Sequence, residues 1–129
     1  MDDEIYTDEQ LVELKQAFAA GPFFDRTPKS LELPFALSIN GRTLRGRLDA
    51  LFAGTSADPT ATDRWLVVDW KTGKPGSANS LQLSIYRQAA AQALGVSEEN
   101  IEAVFYYVAD QVIEKPENLL SLAQLAELI

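Results

Sequence analysis

Apolar and polar residues alternate through residues 31–52, and this pattern predicts a β-hairpin. Asn40-Gly41, the strongest two-residue turn signal, divides the segment into two strands. A two-residue turn fixes the register, so that Leu33 faces Leu48 on an apolar side of the hairpin. The residues that alternate with them form a polar side.

The rest of the chain contains segments that are typical of helices and strands joined by polar loops. The predicted helices run from a cap at Thr7–Gln10 to about Ala20, from Asn79 or Ser80 to Leu94, and from Pro116 to Leu128, the last being short. The further predicted strands are Trp65–Lys71, a central one, and Ile101–Ala109, and residues 22–30 and 53–64 are predicted loops. The predicted order is α-β-β-β-α-β. It indicates a single α/β domain over residues 1–129, with a mixed sheet of about four strands flanked by helices.

Composition narrows the chemistry that this chain can perform. The 129 residues suffice for one sizeable core, and none of them is cysteine or histidine. The lack of cysteine excludes disulfides, iron–sulfur clusters and cysteine-ligated zinc. The lack of histidine excludes Ser-His-Asp and Cys-His catalysis and histidine-ligated metals. Carboxylates, lysine, tyrosine and glutamine remain, together with a hard cation held by oxygen atoms.

The net charge of −8 is unevenly distributed along the chain. Residues 1–25 and 88–129 each carry seven acids and one base, whereas residues 26–87 carry nine bases and five acids. The middle segment is therefore able to present a positive field to a polyanion, while the ends repel one. The alternative explanation of the acidic ends is that they keep the chain soluble.

Three acidic residues and one lysine stand out in the predicted strands. Glu32 and Asp49 face each other on the polar side of the hairpin, an unfavourable pair that a divalent cation would stabilise. Asp69 interrupts an apolar run, where a carboxylate needs a partner or a metal ion. Lys71 lies two residues further along and points to the same face. The alternative for Asp69 is a salt bridge with lysine or arginine.

Other polar residues lie near these carboxylates in the predicted fold. Gln82 and Tyr86 are four residues apart and share one face of the helix that follows the strand of Asp69. Such residues usually mark a solvated helix face. Arg45 and Arg47 lie on the polar side of the hairpin, where they either contact phosphates or are simply solvated.

The order of these elements and residues resembles the PD-(D/E)XK nuclease superfamily, in its RecB-like branch. The matching segments are Glu32-Leu33-Pro34-Phe35, Gly46-Arg47-Leu48-Asp49-Ala50, Val67-Val68-Asp69-Trp70-Lys71-Thr72-Gly73 and Gln82-x-x-x-Tyr86-Arg87. They cover roughly residues 30–110. The resemblance implies a restriction-endonuclease-like core and metal-dependent hydrolysis of phosphodiester bonds.

The resemblance also assigns roles to individual residues. Asp49 and Asp69 would hold Mg²⁺ or Mn²⁺ with the backbone carbonyl of Trp70, and Glu32 would complete the shell. Lys71 would orient the attacking water and stabilise charge on the phosphate. The catalytic set is then Asp49, Asp69, Lys71, Gln82 and Tyr86, and the expected DNA-binding residues are Arg45, Arg47, Lys74 and Arg87.

The end of the chain, from Val104 to Val108 and through the leucine-rich residues after Pro116, is similar to the C-terminal end of actinobacterial UvrD/Rep-type helicase–nucleases. This similarity implies a fragment of a longer ATP-dependent DNA helicase that acts in DNA repair. No Walker A sequence occurs here, so the motor domains of the parent chain would bind ATP.

We therefore expect a cytoplasmic Mg²⁺- or Mn²⁺-dependent deoxyribonuclease module, an exonuclease acting on a single-stranded DNA end, with no membrane contact. The alternative is a nuclease-fold module that binds or guides single-stranded DNA without cleaving it. The alternative is considered because many RecB-like nucleases use an upstream histidine that this chain lacks. A third hypothesis is a protein-docking domain that makes contact through its acidic terminal segments.

Overall fold

The computed structural model describes residues 7–23, 25–76 and 78–129. The elements in this part of the chain are α1 Asp8–Ala19, β1 Ser30–Ile39, β2 Arg42–Ala53, β3 Trp65–Lys71, α2 Ser80–Leu94, a 3₁₀ turn Glu98–Asn100, β4 Ile101–Tyr107, β5 Val112–Glu114 and α3 Leu122–Glu127. The predicted order α-β-β-β-α-β and the α/β class are therefore confirmed.

Within the described residues, five strands form one mixed sheet in the order β1-β2-β3-β4-β5. β3 and β4 run parallel, and the other neighbouring pairs are antiparallel. α2 provides the crossover that a parallel pair needs. The sequence did not predict β5, because this strand has three residues and its preceding turn bends at Gln111, a non-glycine residue with φ of 54°.

The β1–β2 hairpin forms with the predicted turn and register. Asn40 and Gly41 have φ of 49° and 73°, and positive φ at both positions is what a type I′ turn requires. Leu33 pairs with Leu48 as expected. β3 pairs only with residues 50–53 of β2, so the half of the hairpin nearer the turn extends beyond the segment that pairs with β3.

Apolar side chains pack on both faces of the sheet. The core between the sheet and α2 contains Leu48, Leu51, Val67, Leu83, Ala90, Ala91, Ile101, Ala103, Phe105 and Tyr107. The opposite face contains Phe23, Ala50, Phe52, Leu66, Val68, Val104, Tyr106 and Val108. Both faces of β3 and β4 are thus buried, which explains the continuous apolar runs in their sequences.

α2 begins and ends at residues that satisfy its free backbone groups. The Asn79 side chain accepts a hydrogen bond from the Leu81 N–H at 2.9 Å, and Gly95 ends the helix with φ of 67°. These caps fix where the first turn of α2 lies beside the end of β3. Among the helices of the described residues, none has the length and apolar character needed to cross a membrane.

Candidate active site

Two carboxylates meet where the pairing of β2 and β3 ends. Ala50 and Val68 form the last backbone pair, and Asp49 and Asp69 come directly after it. The Asp49 carboxylate accepts a hydrogen bond from the Trp70 N–H at 2.9 Å, so a side chain replaces the next step of the ladder. Asp49 and Asp69 are close enough for their carboxyl groups to form a hydrogen bond.

A break in the alternation of β2 brings Asp49 to this position. Leu48 packs in the α2-side core, whereas Ala50 packs in the core of the opposite face. In a regular strand, residues 48 and 50 would share a face, and continuing the alternation of residues 44–48 would place Asp49 on the other face, away from Asp69. Because the alternation changes here, Leu48 and Asp49 both lie on the α2 side.

The expected cluster of Glu32, Asp49 and Asp69 does not form. Glu32 has a left-handed backbone with φ of 48°, its side chain is exposed, and it does not appear in the ladder opposite Asp49. No group of three or more acids able to hold a metal ion occurs among the described residues. Glu32 lies between the pairs Leu31–Ala50 and Leu33–Leu48, as the predicted register requires, but its backbone changes conformation and it makes no ladder pair with Asp49.

The environment of Asp69 favours its protonated form. The residue is only 4% exposed. Burial raises the pKa of Asp69, the neighbouring Asp49 carboxyl adds to the rise and the Lys71 ammonium opposes it, so that the pKa is about 7. Asp69 Oδ2 lies 3.3 Å from Lys71 Nζ but accepts no hydrogen bond from the described residues. The anticipated salt bridge is thus present and leaves a buried carboxylate oxygen incompletely satisfied.

Lys71 joins the carboxylates to α2. Its Nζ donates a hydrogen bond to Gln82 Oε1 at 3.3 Å and lies 5.9 Å from the centre of the Phe105 ring. The ammonium group is therefore held from β3, β4 and α2 at the edge of the carboxylate pair. The sequence predicted that Lys71 and Gln82 belong to the same site, and the structure brings them together.

Tyr86 lies near the carboxylate pair from the second turn of α2. Burial raises the pKa of its hydroxyl, and the charges of Asp69 and Asp49 raise it further. Its ring meets the edge of Phe35 with centroids 5.7 Å apart. Phe35 in turn lies directly over Gly46, since a Cβ at that position would be 2.7 Å from Phe35 Cζ.

Phe35 and Phe105 were not among the predicted site residues. Their apolar side chains carry no chemical signal, and they act by positioning Tyr86 and Lys71. Gly46 is the sequence signal that could have indicated Phe35, because a glycine inside a strand often marks a place where another group lies close to the backbone.

The basic residues expected at DNA lie in different places. Arg45 and Arg47 are exposed and alternate with less exposed Leu44 and Gly46, so the hairpin has the predicted polar side. Lys74 is exposed in the loop between β3 and α2.

Arg87 does not join the carboxylate cluster. Its Nε donates to the Ile101 carbonyl at 3.1 Å, and its guanidinium lies 3.8 Å from Glu98. Ile101 begins β4, four residues before the Phe105 that faces Lys71. Arg87 therefore links α2 to the start of β4.

Gly46→Ala is expected to lower the free energy of unfolding by about 1–3 kcal/mol, because the added Cβ would force the Phe35 ring to move. Urea unfolding measures this loss. In a Phe35→Ala background the same change should cost little or stabilise the protein, since alanine restricts the unfolded chain more than glycine does. Equal losses in both backgrounds would contradict the contact.

Comparison with known proteins agrees with this arrangement. The family model described as PD-(D/E)XK nuclease superfamily matches residues 5–128. No curated protein matches the chain significantly. The family match covers nearly the whole chain and includes the mixed sheet, the paired aspartates and Lys71. The chain therefore belongs to the PD-(D/E)XK nuclease superfamily.

Proposed function

We propose that this chain is a Mg²⁺- or Mn²⁺-dependent deoxyribonuclease module that hydrolyses phosphodiester bonds at the Asp49–Asp69 pair. One observation carries the proposal. Two carboxylates adjoin each other, one of them buried with a pKa raised to about 7, and Lys71 Nζ lies 3.3 Å from it. A sheet stabilised only by packing gains nothing from two adjacent acids.

The residues present fit a hard divalent cation. Carboxylate oxygens are the ligands that Mg²⁺ and Mn²⁺ prefer, and the buried Asp69 Oδ2 lies 3.3 Å from the Lys71 ammonium but has no hydrogen bond from the described residues. Asp49 and Asp69 would hold the cation, with the carbonyl of Trp70, the residue whose N–H donates to Asp49, as a further ligand. The cation would supply Lewis-acid stabilisation of the charge on the phosphate. It would also relieve the repulsion that raises the pKa of Asp69.

Lys71 is the residue best placed to act on the reacting atoms. Its ammonium is fixed between Asp69 and Gln82, each 3.3 Å away, at the edge of the carboxylate pair. From there it orients a water molecule and stabilises negative charge that develops on the phosphate. Gln82 is a positioning residue for Lys71, and the Tyr86 hydroxyl positions the phosphate group.

The DNA strand follows exposed basic residues of the hairpin and of the loop after β3. Arg45 and Arg47 on the hairpin and Lys74 after β3 contact the phosphates of the strand. These contacts supply affinity and carry no sequence information. We further propose that the module is an exonuclease that accepts a single-stranded end, and these phosphate contacts make it indifferent to sequence.

The parent protein, on this proposal, is a cytoplasmic RecB-like helicase–nuclease of DNA repair. Its motor domains bind ATP and deliver the single-stranded end to this module. The similarity of residues 104–108 and of the leucine-rich end to UvrD/Rep-type helicase–nucleases supports this context.

The second candidate is a nuclease-fold module that binds single-stranded DNA without turnover. The observation in its favour is that Glu32 does not join Asp49 and Asp69. Within the described residues, the cluster of acidic side chains at this site therefore consists of two aspartates. Fewer carboxylate ligands weaken the hold on a cation.

Degradation of an end-labelled single strand in Mn²⁺ separates the two candidates. The proposed nuclease shortens the strand in Mn²⁺ but not in EDTA, and Asp69→Asn abolishes the shortening. Asp63→Asn is the matched control, because Asp63 is an exposed aspartate in the loop between β2 and β3. If no metal supports cleavage while the strand still binds, the binding module replaces the nuclease.

A further inference from the structure

A groove of about 340 Å³ lies beside the carboxylate pair, between the β1–β2 hairpin and the start of α2. We call it the hairpin groove, and the lining residues used below are Phe35, Leu44, Arg45, Leu81, Ile85 and Tyr86. We propose that the hairpin groove holds one unpaired base of a DNA strand whose phosphate lies at Asp49 and Asp69. This inference rests on the proposed nuclease function and adds single-strand selectivity to it.

The hairpin groove and the carboxylate site share a wall. Gln82 and Tyr86 line the groove, and both also belong to the site. Gln82 Oε1 accepts the hydrogen bond of Lys71 Nζ, which lies 3.3 Å from Asp69 Oδ2. A strand with a phosphate at the carboxylates therefore has an adjoining base next to the groove.

The walls of the groove suit the flat, apolar face of a base. Phe35 and Tyr86 meet edge to face, and Leu81 leaves 38% of its surface exposed at the start of α2. The Phe35 ring lies over Gly46 and occupies the space that a side chain there would take. Stacking against such side chains tolerates every base, because each has a π face. A paired base enters only after it leaves the duplex stack, which costs free energy.

Charge favours nucleic acid over an apolar peptide as the occupant. Among the described residues that line the groove, Arg45 is the only charged one. The surrounding segment, residues 26–87, carries nine bases against five acids, although the whole chain is acidic. The apolar walls of the hairpin groove suit a base, and the Arg45 guanidinium suits the phosphate joined to it.

An abasic-site scan on the unmodified protein tests this inference without any substitution. Single strands that lack the base at one position are bound in Ca²⁺, a hard cation that takes the same carboxylate oxygen ligands, under conditions where gel analysis shows the strand intact, and their dissociation constants are compared. We expect one position at which the missing base weakens binding by about tenfold, the loss that one stacked base implies. An equal dissociation constant at every position would overturn the proposal.

Two substitutions connect that position to the hairpin groove. Leu81→Ala and Arg45→Ala should weaken binding of the intact strand, and Leu81→Ala should also remove most of the effect of the abasic site. Leu122→Ala and Arg42→Ala are the controls, because both residues are exposed outside the groove. If Leu81→Ala leaves the effect of the abasic site unchanged, the base binds outside the hairpin groove and the assignment is refuted.

The outcomes separate this inference from the proposed function. A protein that cleaves in Mn²⁺ but shows no abasic position is a nuclease without the base groove. A protein that shows the abasic position and never cleaves keeps the groove and loses the nuclease assignment. Equal affinity for blunt duplex and single strand would contradict single-strand selectivity.

Discussion

Replacement of Lys71 by alanine is expected to slow DNA cleavage by about 10²–10³-fold, the loss that follows removal of one preorganised charge-stabilising group. Lys71 Nζ lies next to Asp69 but is not a metal ligand. Its contribution grows as negative charge develops during the reaction, so its loss lowers turnover more than DNA affinity.

Single-turnover cleavage together with Mn²⁺ and DNA affinities measures this effect for Lys71→Ala. Lys29→Ala is the matched control, because Lys29 is exposed and lies over the Trp65 ring at the start of β3, the strand end opposite Lys71. Cleavage at the unmodified rate in Lys71→Ala would show that the catalytic assignment is wrong. A rate loss that is fully explained by weaker Mn²⁺ binding would make Lys71 a structural support of the metal site.

Asp69→Asn is expected to raise the free energy of unfolding in metal-free buffer at neutral pH. Burial and Asp49 raise the pKa of Asp69 to about 7 in the folded protein, against about 3.9 in an unfolded chain. Between these values the folded state retains a proton that the unfolded state has lost. Stability therefore falls as pH rises from about 4 to above 7. Asparagine does not titrate, and its amide is able to donate to Asp49.

Urea unfolding of both proteins across this pH range, in EDTA and in millimolar Mn²⁺, checks the expectation. The stability advantage of Asp69→Asn should grow with pH in EDTA. In Mn²⁺ the unmodified protein should gain stability, because a cation that binds the folded state stabilises it. Asp69→Asn should show little of this gain, because it lacks one of the carboxylates that hold the cation. Asp63→Asn should behave like the unmodified protein. A stability difference that does not change with pH would contradict the raised pKa of Asp69.

The hairpin and the order of elements were predictable because local signals determine them. Asn40-Gly41 selects its turn through backbone conformations that few residues adopt, and the turn fixes the register of β1 and β2. The apolar run of β3 is typical of a strand that is buried on both faces. These features depend on neighbouring residues and require no tertiary information.

The geometry of the carboxylate pair was not predictable in the same way. Strict alternation placed Asp49 on the polar side of the hairpin with Glu32, and that side does not face Asp69. The left-handed backbone at Glu32 and the change of face between Leu48 and Ala50 bring Asp49 to the α2 side. No glycine at these positions signals the change, since the surrounding packing determines it.

Arg87 lies apart from the carboxylate pair, although the motif places it beside Tyr86, which lies near that pair. It directly follows Tyr86 in the sequence, and helix geometry turns its side chain about 100° away from that neighbour. Its guanidinium therefore reaches the Ile101 carbonyl and Glu98.

The central claim is that Asp49 and Asp69 together hold the divalent cation on which cleavage depends. Calorimetric titration of the protein with Mn²⁺, at a pH of about 8.5 where Asp69 is ionised, tests this claim most directly. The account predicts a binding site in the unmodified protein that is lost in both Asp49→Asn and Asp69→Asn and is retained in Glu32→Gln. Binding that survives both aspartate substitutions, or that Glu32→Gln abolishes, would contradict it.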